Sequence, residues 1–408
     1  MIQYIIWGIS FITLYISLLW LNFLYLNQFG VQKTCRLYPS VTVVVPAYNE
    51  ESTIQETIES ILSASYPKDR LFVCVVNDGS TDGTEQVVTR ILANSKNLVL
   101  INMQKSGKAA ALNTALRRTS TELFACVDAD SVIDKNALKN MMYHFENPKN
   151  AAVITALKVY HPRKILEKVQ RLEYMLGILI RKIKASISTL AMTPGVLSVY
   201  RTDILKKLGG FDEHNITEDF EIAMRLKYYG YDIQMETSSY TYTRVPNTLR
   251  QLRRQRIRWF RGYIFNHLKY KDMFFSKNHR LMGYFQMPLN ILGIILLVVS
   301  TIIVGYGTIS HLTEFVQRAM LIKGYIPSML YLPSIKELIL GHDVQIMFPI
   351  YIGSLAGIYL FIVAHRQLKE RFKHPLSIWA YFAVFPLLNF LFWLYSIVLE
   401  AFRVKRKW

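Results

Sequence analysis

From Ile2 to Leu26 the sequence runs through 25 residues without one charge. About 20 apolar residues cross a ~30 Å hydrocarbon core as a helix, so this run alone limits the chain to architectures with a lipid-embedded part. Three more long apolar segments follow, at about Gly283–Tyr306, Ile346–Ala364 and Ser377–Leu399. A cleaved signal peptide opens on basic residues and ends on a small-residue site. Neither is present, which predicts a retained anchor. Lys33 and Arg36 follow the first run, and Arg366, Lys369, Arg371 and Lys373 sit in the linker His365–His374. Both flanks are expected on the cytoplasmic side, leaving Thr313–His342 as an external loop. Four crossings from an outside N-terminus would put the basic tail Arg403–Lys407 outside, against the positive-inside tendency. Either a further span near Tyr331–Leu340 or a re-entrant segment would resolve this.

The net charge is +19 although 51% of residues are hydrophobic. A membrane protein with basic inner surfaces combines these, because Lys and Arg accumulate beside anionic lipid. The basic residues cluster beside apolar segments, which argues against nucleic acid as a partner. Cys35, Cys74 and Cys126 form no CxxC pair. Cys74 and Cys126 stand in strand-like runs and read as buried free thiols.

From about Tyr38 the pattern becomes that of an α/β domain. Val41–Val45, Leu71–Val76, Leu98–Ile101 and Leu123–Val127 are short apolar runs rich in β-branched residues. Continuous apolar strands separated by helical stretches predict a mainly parallel sheet covered on both faces. Ser52 with Gln55 forms a capping-box pattern ahead of Ile54, Ile58, Ile61 and Leu62 on one helical face. Asp82 and Glu85 open the next helix similarly, and Ala109–Leu116 is rich in helix formers. From Asn247 to Leu281 there are ten Lys or Arg against one acid, Asp272, interleaved with aromatics. That mixture suits a helix at the bilayer interface as well as an ordinary solvated one. The expected divisions are an anchor over 1–30, an α/β domain over 38–246, an interfacial segment over 247–281 and membrane helices over 282–408.

Polar bursts stand at the strand ends: Asn49-Glu50, Asn77-Asp78-Gly79-Ser80 and Asp128-Ala129-Asp130. In an open parallel sheet, ligands bind outside the carboxyl ends of strands. Asp128 and Asp130 are placed to share a divalent ion and its phosphates, Mg²⁺ or Mn²⁺ suiting such oxygen ligands; a plain turn pair reads the same way. Lys105 and Lys108 precede a helix whose N-terminus favours a diphosphate. Thr217-Glu218-Asp219 is either a helix cap or the site of a general base. Gln255, Arg258 and Trp259 lie in the basic segment, where Arg suits forked phosphate contacts and Trp the face of a sugar.

Taken in order, VVVPAYNEE, VVNDGSTDGT, SGKAAALN, DAD, GGFDE…TED and QRIRW resemble family 2 glycosyltransferases of GT-A fold. The narrower resemblance is to the membrane synthases of poly-N-acetylglucosamine, hyaluronan, chitin and cellulose, helped by Gln170–Tyr174 (QRLEY). It implies a Rossmann-like cytoplasmic domain with membrane helices on both sides. It also implies that Tyr48, Glu50 and Asp78 contact uridine, that Lys108 reaches the donor phosphates, and that Asp128 touches nucleotide or metal. Asp130 would bind the ion and Asp219 act as base. Glu218, Gln255, Arg258 and Trp259 would hold the diphosphate and acceptor end. The implied partners are a UDP-sugar, a growing glycan or lipid acceptor and membrane lipid, with room for a small membrane partner subunit. The implied place is the plasma membrane, multi-pass. Thr193-Pro194-Gly195-Val196 departs from the family's usual small-residue stretch near the acceptor.

Three functions compete at this stage. The first is a processive inverting synthase using UDP-N-acetylglucosamine. The second is transfer of a single sugar to a lipid. The third is a transporter or receptor that binds nucleotide without turnover; the scarcity of intramembrane ionisable residues argues against ion transport.

Overall fold

Val41, Val43, Val44 and Val45 are completely buried, which a strand achieves only when both faces of its sheet are covered. The structure, a computed structural model, describes residues 2–26, 38–321, 344–368 and 374–406. Strands β1 (Val41–Ala47), β2 (Leu71–Asp78), β3 (Leu98–Met103) and β4 (Leu123–Cys126) run parallel in the order β3-β2-β1-β4. Val41 faces both Leu71 and Leu123, so β1, β2 and β4 start level. Helices α2 (Ile54–Leu62), α3 (Thr84–Leu92) and α4 (Lys108–Arg118) make the crossovers. Ile54, Ile58 and Ile61 are fully buried in the cluster that contains Val43, Val45, Val73 and Val75. Each such side chain contributes roughly 1.5–3 kcal/mol of burial.

Beyond β4 the sheet becomes mixed. β5 (Ser131–Ile133), β6 (Asn150–Val159), β7 (Ser198–Arg201) and β8 (Asp232–Thr243) complete eight strands in the order β3-β2-β1-β4-β7-β6-β8-β5. β7 runs antiparallel to both β4 and β6, β8 parallel to β6, and β5 antiparallel to β8. Helices α5 (Ala137–Met141), α6 (Ile165–Ser186), α7 (Thr202–Lys207), α8 (Glu218–Tyr228) and α9 (Leu249–Lys269) belong to the same body. The free thiols Cys74 and Cys126 are buried as expected. Cys35, Lys33, Arg36 and the Tyr331–Leu340 segment lie outside the described residues.

By their contacts the described residues form two compact units. One comprises 2–26, 289–321 and 344–368, the other 38–288 and 374–406. In the first, α1 (Ile2–Leu26) packs against α11 (Val344–Gln367), which covers the expected apolar segment Ile346–Ala364. α10 (Met287–Leu321) begins at the end of the second unit. It is longer than the expected span, because Thr313–Leu321 continues as helix instead of starting a loop. Its residues are good helix formers, and Arg318 sits 3.6 Å from Glu314 one turn earlier. In the second unit, α12 (Pro375–Ala383) packs on α6 and α13 (Phe385–Ala401) on α9. Phe260 stacks on Trp393 with centroids 4.2 Å apart. Among the described residues three helices are long and apolar enough to cross a membrane: Tyr4–Tyr25, Met282–Leu321 and Pro375–Ala401. The tail contacts α9 directly, with Arg261 donating to the Val404 carbonyl and, at 2.6 Å, to Glu400.

The capping predictions fail locally. α2 starts at Ile54 after Thr53, whose hydroxyl turns to Glu50 instead of capping the helix. Ser52 and Gln55 make no box. Asp82 accepts the Thr84 N–H at 3.0 Å, but Glu85 is drawn away to Asn102 at 2.7 Å. Thr217 flanks α8 without a side-chain cap, because its hydroxyl joins buried Asn215 and Asn266.

Candidate active site

The carboxyl ends of β1 and β2 are tied by their own polar residues. Asn49, at φ 56°, accepts the Thr81 N–H at 2.8 Å, and the Glu50 N–H donates to Thr84 at 2.8 Å. Asp78 accepts the N–H groups of Ser106 and Gly107 at 2.7 and 2.9 Å. That clamp fixes the loop that delivers Lys108 to the start of α4. Gly79 is required here, since its φ is +70° and a Cβ would meet the Lys105 nitrogen at 2.8 Å. Lys105 does not join the other site cations: its ammonium lies 3.7 Å above the half-exposed Tyr48 ring.

Lys108 is the hub. Its Nζ is 2.5 Å from Asp128 Oδ1 and 3.3 Å from Glu218 Oε1. Burial would lower its pKa, but the charges of Asp128, Glu218 and Asp219 outweigh that and hold it well above its usual value. Glu218 is 3% exposed. Burial pushes its carboxyl up, helped by Asp219 and opposed by Lys108 and Arg258. Asp130 is pushed up to about 6, first by burial and then by the charges of Asp128 and Glu50. Glu50 is raised for the same reasons, burial leading. An excess of buried negative charge of this kind suits a hard cation. Among the described residues no three or more His, Cys, Asp or Glu form a chelating group by themselves.

Two residues that shape the site, Thr57 and Arg244, were not singled out from the sequence. Thr57 donates to the Ala129 carbonyl at 2.8 Å and Arg244 to the Asp130 carbonyl at 3.3 Å, pinning the DAD turn from two sides. Gly195 lies against the Lys108–Asp128 pair, and a Cβ there would sit 2.9 Å from Asp128 and press on the ammonium. Tyr174, in the QRLEY stretch, is part-buried within electrostatic reach of both Arg256 and Asp130. Nothing in the residue types of Thr57 and Arg244 marks them, because each acts through a long-range contact.

The structure thus links Glu50, Asp130, Asp128, Lys108, Glu218, Asp219 and Arg258 through successive electrostatic contacts, with Lys108 and Asp128 at the centre. Tyr48 and Asp78 shape the adjoining loops. Gln255 and Trp259 lie beside a separate pair that joins α9 to α6, in which both Nη atoms of Arg256 hold Glu173 at 2.8 and 2.6 Å. The Arg256 guanidinium lies 4.6 Å from the Trp259 ring, and Gln255 Oε1 is buried with no hydrogen-bond partner.

A model of the family described as "Glycosyltransferase like family 2" matches residues 39–262, which contain the whole sheet and this cluster. The chain belongs to that family and is a glycosyltransferase. It is similar to the poly-beta-1,6-N-acetyl-D-glucosamine synthase of Staphylococcus epidermidis, 33% identical over 227 residues, 54% of each chain. The synthase of Staphylococcus aureus strain COL is 31% identical over 228 residues, again 54% of each. The matched region is thus about half the length of these relatives. Among solved structures, a mannosyltransferase from Pyrobaculum calidifontis, in complex with GDP-Man and Mn²⁺, superposes with a TM-score of 0.59 at 22% identity. That comparison covers 89% of this chain and 95% of the other, and it supports the GT-A fold expected from the motifs.

Proposed function

We propose that this chain is a processive, inverting β-glycosyltransferase that takes a UDP-sugar, UDP-N-acetylglucosamine foremost, and builds a polysaccharide at the cytoplasmic face of the plasma membrane. The observation that carries this reading is the convergence of Asp219 and Glu218 with Asp128 on one lysine, Lys108, at the ends of the parallel strands. The similarity to poly-N-acetylglucosamine synthases supports the sugar and the polymer.

In this reading the nucleoside lies over the Tyr48 and Asp78 loops. Asp219 takes the proton from the acceptor hydroxyl as its oxygen attacks C1. The bond from C1 to the diphosphate oxygen breaks on the opposite face, so the configuration inverts and UDP leaves. Lys108 and Arg258 hold the negative charge of the departing diphosphate. Asp130 and Asp128 fit Mg²⁺ or Mn²⁺, whose remaining ligands would come from the donor phosphates. Such an ion, when bound, neutralises charge on the leaving group. Gln255 and Trp259 meet the acceptor end.

The test is a donor screen with the full chain in detergent and added Mg²⁺ or Mn²⁺, followed by sizing and linkage analysis. UDP release from UDP-N-acetylglucosamine with long β-linked chains is expected. A single sugar on a lipid would replace polymer synthesis with lipid glycosylation. No UDP release from any UDP-sugar would reject the proposed donor class.

A further inference from the structure

Arg181 and Lys184 stand three residues apart on α6, and so share a helix face. Arg181 Nε and Nη2 are buried with no hydrogen-bond partner, while Nη1 reaches the sulfur of Met192 at 3.9 Å. Lys184 is part-buried, and its ammonium makes no hydrogen bond or ion pair among the described residues. The carboxylate within reach of Arg181 is Glu173, and both its oxygens are already engaged by Arg256. Lys182, between them, is different: its Nζ donates to the Met235 carbonyl at 3.3 Å.

The electrostatics follow the geometry. Burial, then the charge of Arg181, brings Lys184 down to about 8. Burial brings Arg181 down to about 10. On α9, His267 is held at about 4 by burial, with Lys184 adding to the effect, so the ammonium acts toward α9. Cations without partners at a buried position cost stability, and an apolar residue would pack there more favourably. A pair of them on one face is the chemistry of an anion site.

The surroundings indicate which anion. α6 packs on α12, which opens the apolar stretch Pro375–Ala401 that is long enough to cross a membrane. α6 therefore lies beside such a stretch, and anionic headgroups gather at the ends of a stretch that crosses a membrane. We propose that Arg181 and Lys184 form a phosphate site, filled by the headgroup of an anionic phospholipid and separate from the donor carboxylates. The site does not depend on the sugar-transfer reading.

The experiment uses the full chain in detergent, titrated separately with short-chain phosphatidylglycerol, short-chain phosphatidylcholine and inorganic phosphate. Binding is read as a shift of the thermal unfolding midpoint. Wild type is compared with Arg181→Met/Lys184→Met and with Lys182→Met. Phosphatidylglycerol should stabilise wild type and Lys182→Met, and its affinity should fall at least about tenfold in the double variant. The lipid-free double variant should unfold at the same temperature or higher, since two unpaired cations are gone. An equal, variant-sensitive response to inorganic phosphate would keep the anion site and assign it to free phosphate. Unchanged phosphatidylglycerol affinity in the double variant would overturn the site. So would a fall in its lipid-free midpoint without a change in affinity, which would mark a structural role.

Discussion

Thr193 donates a 2.6 Å hydrogen bond to the backbone carbonyl of Asp219, tying the segment before β7 to the first turn of α8. Thr193 is completely buried. The segment Thr193–Val196, which departs from the family pattern, therefore holds the proposed base by its backbone. Thr193→Val should lower kcat about ten- to a hundredfold through misplacement of the carboxylate, with donor KM little changed. Thr193→Ser keeps the hydroxyl and should restore most of the rate. Equal rates in Thr193→Val and wild type would show that the bond does not position Asp219.

Gly195 reports on the donor side. The Cβ of Gly195→Ala would press on Lys108 and come within 2.9 Å of Asp128. Overpacking of this kind typically costs about 1–3 kcal/mol, so donor KM should rise at least about tenfold. Steady-state kinetics on the purified chain checks this, and an unchanged KM would mean that the ion pair moves aside freely.

The Arg256–Glu173 pair is a stability prediction. Arg256 is 4% exposed, and Glu173→Gln leaves its charge buried without a full partner. The loss should be about 3 kcal/mol, seen as a lower thermal midpoint in detergent. An unchanged midpoint would show that Arg256 finds another partner.

Acid stability should depend on Glu236. Burial opposes its ionisation, but hydrogen bonds from His144, Ser238 and Tyr143 bring it from the usual 4.5 down to about 2. A depressed carboxylate contributes stability that is present above its unfolded pKa and lost as pH falls through the folded one. Between pH 4.5 and about 2 the wild-type midpoint should therefore fall more steeply than that of Glu236→Gln. Parallel curves would contradict the assignment.

The sheet's first half was legible because its strands are continuous apolar runs, and their polar ends foretold that Asn49, Asp78 and Asp128 would gather. The antiparallel turn of β7 was not, since a four-residue strand carries too little pattern to show its partner. The capping boxes misled because Thr53 turned back to its near neighbour Glu50, while Glu85 was engaged by Asn102 on β3. Thr193 and Gly195 were marked only as part of a departure near the acceptor; their contacts with Asp219 and Asp128, remote in sequence, were not legible.

The most direct test of the account is Asp219→Asn, assayed for transfer and for UDP-sugar binding on the same preparation. Loss of the general base should cut turnover roughly 10²–10⁴-fold. Binding of the UDP-sugar should remain close to wild type, because Lys108 keeps Asp128 and Glu218 as partners. Wild-type turnover in Asp219→Asn would contradict the central claim that this carboxylate takes the proton from the acceptor.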